Sequence, residues 1–138
     1  MAVDTRRITR TQSWLVKAQR DLMAAGQLLA PEQPLLDSVV YHCQPAGEKA
    51  LKGFLFWHDI PFRKTHNLNE LLAQCTVVDA TLAFLEETAN FLTPLATEFR
   101  YPNDLLEPAL DEAREAFERA QVLLNEIVKR LPDEVAPS

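Results

Sequence analysis

The chain has 138 residues, 14 Lys and Arg against 20 Asp and Glu, and a formal net charge of −6. That length fits one domain around one core, and a content of 47% hydrophobic and 25% charged residues excludes wholesale disorder. The acidic balance excludes indiscriminate coating of nucleic acid. The charge is uneven, however: residues 1–70 hold nine Lys and Arg against seven Asp and Glu, and residues 71–138 hold five against thirteen.

Residues 1–12 carry arginines with no apolar stretch behind them, so they are no secretory signal and are expected as a flexible arm. A first helix is expected over residues 13–30, with Ser13 as its N-cap and Trp14, Ala18, Leu22, Ala25 and Leu29 as its apolar stripe. Pro31 and Pro34 end it. A second helix is expected over residues 35–58, burying Leu36, Val40, Cys43, Gly47, Ala50, Phe54 and either Trp57 or His58. It holds Pro45 and Gly47 in its interior, at a cost of about 3 and about 1 kcal/mol relative to alanine. A kink or a break near Tyr41–Pro45 is expected.

A polar loop then leads to a short helix over residues 67–74. The fourth helix is expected over residues 79–99, on Leu82, Leu85, Ala89, Leu92, Ala96 and Phe99, bent at Pro94. The fifth is expected over residues 104–131, where Leu106, Leu110, Ala113, Phe117, Ala120, Leu124, Ile127 and Leu131 alternate four and three apart as a bundle seam. Residues 132–138 are expected to fray. The fold class is therefore all-α: an antiparallel bundle of four long helices plus one short helix, occupying residues 13–131 as one domain.

The longest strongly apolar run, Phe54-Leu55-Phe56-Trp57, is too short to span a membrane. Cys43 and Cys75 form no CxxC pair and read as reduced core thiols, so a cytoplasmic location is expected. Three glycines, none following a strand, exclude a phosphate-cradling loop. His42, Cys43, His58, His66 and Cys75 lack the spacing of metal ligands, and no metal or cofactor is expected.

Three polar clusters remain. Tyr41, Gln44, Glu48 and Lys52 share one helix face, read either as a solvated or interfacial face with a Glu48–Lys52 pair or as a polar site. Arg63-Lys64-Thr65-His66 places three cationic or titratable side chains in four residues, read either as a cationic binding loop or as a turn that Thr65 caps and His66 closes. Glu98-Phe99-Arg100-Tyr101-Pro102 ends the fourth helix. There Arg100 either favours the negative helix end or, with Tyr101, stacks on and clamps a nucleotide.

In order, Ser38-Val-Val-Tyr-His-Cys-Gln-Pro-Ala-Gly-Glu-Lys-Ala-Leu-Lys52, Lys64-Thr-His-Asn-Leu68 and Thr93-Pro94 leading to Glu98-Phe-Arg-Tyr-Pro102 resemble the HEPN domain family over nearly the whole chain. The resemblance implies a bundle of four main helices plus a short one, and a homodimer. It implies pairing with a minimal nucleotidyltransferase in toxin–antitoxin or stress-response modules, and binding of nucleotides or RNA, with metal-free RNA cleavage at the dimer interface in many members. The implied ligand-binding residues are Arg100, Tyr101, Arg63, Lys64, His66, Tyr41, Glu48 and Lys52.

One feature of the family is missing. Its ribonucleases place a histidine five to seven positions after an arginine, and the corresponding positions after Arg100 are Leu105, Leu106 and Glu107. Metal-free cleavage needs a base for the 2′-OH and a cation for the phosphorane; Arg100 supplies the cation, and His66 is the one substitute base. The leading expectation is thus a non-catalytic or weakly active RNA- or nucleotide-binding protein. The alternatives are a ribonuclease toxin with a relocated base and a purely structural dimeric scaffold.

Overall fold

The computed structural model describes residues 4–98 and 107–137. They form α1 (Thr5–Leu29), α2 (Leu36–Trp57), α3 (Leu68–Val78), α4 (Glu86–Leu92), α5 (Leu95–Glu98) and α6 (Leu110–Lys129), with 3-10 turns at Ala80–Leu85 and Asp133–Val135. No strand occurs among them, so the expected all-α bundle is the fold.

α1 starts at Thr5 rather than at Ser13. The Asp4 carboxylate is its cap, accepting the Arg6 N–H at 3.0 Å, and Ser13 lies inside the helix with its side chain exposed. The arm expected over residues 1–12 is therefore helical from Thr5 onward. Ala18, Leu22 and Ala25 are buried as expected, but Leu15 takes the fully buried place ahead of them while Trp14 is half-buried, its ring edge-on to Phe62 at 6.1 Å.

α1 and α2 form an antiparallel pair, as three cross-contacts show. Arg7 donates to the Trp57 carbonyl, Gly53 faces Trp14, and Asp21 binds His42 and Lys49. α2 is the central helix, touching α1, α3, α4, α5 and α6. Thirteen of its 22 residues are buried, from Val39 to Leu55. A helix enclosed in this way has no broad solvent face to give to polar residues.

The helix runs unbroken through Pro45. Enclosure by five neighbours holds the segment helical despite the missing N–H. Gly47 has a packing reason: a Cβ there would lie 3.1 Å from Leu68 Cδ1, 3.4 Å from Leu123 Cδ1 and 3.5 Å from Leu92 Cδ1, where α3, α4 and α6 close on α2.

α3 begins one residue after Asn67, whose side chain accepts the N–H groups of Asn69 and Glu70. The expected cap, Thr65, instead accepts the Asn67 N–H at 3.1 Å. The expected fourth helix forms as a 3-10 turn, α4 and α5, interrupted at Thr93 and Pro94, with Leu82, Leu85, Ala89 and Leu92 buried as a continuous stripe. Phe99, Arg100, Tyr101, Asp104, Leu105 and Leu106 lie outside the described residues.

α6 starts at Leu110, which is exposed, so the buried seam begins at Ala113 and continues through Ala116, Ala120, Leu123, Leu124 and Ile127. The expected frayed tail is instead docked. Val135 is fully buried, the Asp133–Val135 turn packs on α1, and Ala136 O accepts Gln12 Nε2 at 3.0 Å. An apolar side chain and a satisfied backbone hold it there.

Candidate functional site

Because α2 is enclosed, three members of its polar face are buried rather than solvated: Gln44 is 1% exposed, Glu48 9% and Lys52 6%. Buried polar groups of this kind persist only when hydrogen-bonded and paired. Glu48 meets that condition with both oxygens. Lys52 Nζ donates to Oε2 at 2.8 Å, one helical turn on, and His66 Nδ1 bonds Oε1 at 2.8 Å from the loop before α3. Gln44 Nε2 donates to the His66 carbonyl at 2.7 Å and lies 3.4 Å from Glu48 Oε1.

Burial is the largest single influence on Glu48 and pushes its carboxyl up. The hydrogen bonds from Lys52 and His66, with their charges, outweigh it and hold the carboxyl below the ordinary glutamate value. Glu48 is therefore a carboxylate at neutral pH. A carboxylate can only accept, so His66 places its proton on Nδ1, toward Glu48. The His66 side chain is otherwise 79% exposed, which turns its Nε2 to solvent.

This arrangement joins the first two polar clusters of the sequence, and Thr93, ahead of the third, fastens the loop's exit. The Thr93 hydroxyl accepts the Leu68 N–H at 3.2 Å and donates to the Ala89 carbonyl at 2.7 Å. The start of the Thr93-Pro94 motif thus fastens the end of α4 to the first residue of α3, two positions after His66.

The remaining candidates differ in what the structure gives them. Tyr41 is 41% exposed and meets the His42 ring edge-on at 5.8 Å. Arg63 is not a free cation. Its guanidinium pairs with Glu70, Nε reaching both carboxylate oxygens at 2.8 Å, which holds that carboxyl below its usual range. Lys64 is exposed and has no ion-pair partner among the described residues. Arg100 and Tyr101 lie outside the described residues. The cationic loop is thus reduced to Lys64 and His66.

One group escaped the sequence reading. Asp21 of α1 receives His42 Nδ1 at 2.9 Å and Lys49 Nζ at 2.6 Å. The two donors are seven apart on α2, a two-turn spacing visible in sequence, but their acceptor comes from another helix. Beside them Cys43 is buried, which with the Asp21 charge pushes its thiol up to about 12; burial does the same to Cys75. Neither is a nucleophile. No cluster of three or more metal-ligating side chains occurs among the described residues, and no helix among them is long and apolar enough to cross a membrane.

Three comparisons bear on this arrangement. A model of the HEPN domain family matches residues 11–131. A crystal structure of an archaeal HEPN homologue superposes with a TM-score of 0.67 at 27% sequence identity, covering 85% of this chain and 93% of that one. No curated protein matches.

Proposed function

Since this chain belongs to the HEPN domain family, we propose that it is the RNA- or nucleotide-binding member of a two-protein module. Its partner in that reading is a minimal nucleotidyltransferase, in a cytoplasmic toxin–antitoxin or stress-response setting, and it works as a homodimer. The observation that carries the reading is the His66 imidazole, held at Nδ1 by buried Glu48 and otherwise exposed, beside the exposed Lys64. A phosphate at this loop gains a cation from Lys64 and a hydrogen-bonding edge from His66. Arg100 and Tyr101 complete the proposed site as clamp and stacking platform.

Titration of the purified protein with labelled RNA and with ATP tests this. Binding by wild type that weakens at least tenfold in His66→Ala and in Arg100→Ala supports it. Absence of binding, or equal binding by both variants, overturns it.

A second reading, a metal-independent ribonuclease, is favoured by the same Glu48–His66 pair. A carboxylate that fixes the Nδ1–H tautomer leaves Nε2 basic and able to take a 2′-OH proton, and Arg100 is the cation for the phosphorane. Incubation with total RNA in EDTA separates the two. Cleavage that disappears in both His66→Ala and Arg100→Ala selects the enzyme, and intact RNA with retained binding selects the non-catalytic protein.

A further inference from the structure

We infer that the outer face of α1 is a docking track for the phosphate backbone of single-stranded nucleic acid, separate from the His66 loop. α1 carries five cations, Arg6, Arg7, Arg10, Lys17 and Arg20, against one carboxylate, Asp21, in a chain whose net charge is −6. Arg6, Arg10, Lys17 and Arg20 follow one another at intervals of four, seven and three, so they share one face of the helix. All four are exposed. None has an ion-pair partner among the described residues, whereas Arg63, Arg119, Lys129 and Arg130 are each paired. From Arg6 to Arg20 the row runs about 21 Å along the helix axis.

At its N-terminal end the row opens into a groove of about 580 Å³, where Arg6, Arg7 and Arg10 stand with Phe56, Asp4 and Asp59. Both aspartates temper the charge there, and Asp4 is occupied as the α1 cap. Arg7 is held by the Trp57 carbonyl, its guanidinium 3.9 Å from the Trp57 ring centroid. Arg6 and Arg10 are left to a ligand, with the half-buried Phe56 ring as a surface on which a base can stack.

The chemistry of the face selects among polyanions. Three of the four free cations are arginines, whose planar fork matches phosphate oxygens in pairs. A membrane surface requires an exposed apolar face, and the apolar side of α1 (Leu15, Ala18, Leu22, Ala25) is buried in the core. A protein partner needs a central aromatic or aliphatic anchor, and Thr9 and Ser13, exposed between the cations, provide none. A second copy of this face repels it. The inference takes only the ligand class from the proposed function; its residues are different.

The test is the salt dependence of binding of labelled oligouridylate and oligothymidylate to the full chain. Arg6→Gln/Arg10→Gln/Lys17→Gln/Arg20→Gln keeps helix-forming side chains and removes the row. Each lost phosphate contact is expected to flatten log K against log salt by about 0.7, nearly three in all. Arg114→Gln and Lys129→Gln, on exposed α6 positions, are expected to leave the slope unchanged. ATP binding, read at the His66 loop, is expected to be the same in the quadruple variant. An unchanged slope in that variant, or polyglutamate or anionic vesicles bound by wild type with the same dependence on the row, overturns the track. A His66→Ala chain that loses ATP binding yet keeps the full wild-type salt slope supports the track as a site separate from the loop.

Discussion

Two carboxylates in this molecule have the same company and different surroundings. Asp21 binds a histidine Nδ1 and a lysine Nζ at 2.9 and 2.6 Å, and Glu48 does so at 2.8 Å each. Their side chains are alike in burial, 14% and 11% exposed. Around Asp21 both donors come from α2, so the triad ties α1 to its neighbour, and both are about 30% exposed. Around Glu48 the lysine is 8% exposed and the histidine comes from a loop, 79% exposed. Residue types do not distinguish the Asp21 clamp from the proposed His66 site; the element that brings the histidine and how far it is exposed do.

The sharpest way to break this contrast is to remove each carboxylate. Glu48→Ala leaves Lys52 charged, buried and unpartnered, and is expected to cost about 3–5 kcal/mol in urea unfolding. A loss no larger than that of Asp21→Ala would mean that Lys52 escapes to solvent and that the two triads are equivalent.

Acid titration sharpens the same point. The Glu48 carboxyl is held below the ordinary glutamate value of 4.5 in the folded chain. Its contribution is therefore fully present above that value and is lost as pH falls through the folded pKa. Thermal midpoints of wild type are expected to fall more steeply below pH 4.5 than those of Glu48→Gln. Parallel curves overturn the assignment.

A smaller effect is expected from Asp21→Ala, about 1 kcal/mol, because Lys49 and His42 can turn to water. The smallest lies in the histidines. His66→Ala and His42→Ala are each expected to change stability by under about 1 kcal/mol, typical of exposed or half-exposed pairs. RNA or ATP binding is expected to fall only in His66→Ala, which equilibrium binding on both variants checks.

What the sequence disclosed follows from what periodicity encodes. Apolar spacing locates helices and their inner faces, so the stripes through Leu82, Leu85, Ala89 and Leu92 and through Ala113, Ala120, Leu124 and Ile127 are legible in it. Periodicity does not say which helix is central. The Gln44–Glu48–Lys52 face therefore reads in sequence as a solvated or interfacial face or as a polar site, and only the fold shows that it is buried. Partners from distant elements are equally silent: Glu70 for Arg63, Glu48 for His66, Asp21 for His42. The cationic row of α1 was legible in principle, through Asp4 as a cap ahead of a 4-7-3 pattern of cations. A start at Ser13 hides it, because Arg6 and Arg10 then fall outside the helix.

The central place of α2 also has a consequence for how the molecule comes apart. Five other helices rest on it, and Gly47 lets three of them approach at one point. Most of the packing between elements runs through α2, with lesser contacts of α1 with α6 and of α3 with the turn and helix that follow it. Losing α2 thus removes most of the structure that a sub-global opening could retain. The amides of α2 around Ala46–Ala50 are therefore expected to exchange with deuterium only through whole-molecule unfolding, while those at the ends of α1 and α6 exchange by local fraying. Such a chain unfolds as one cooperative unit.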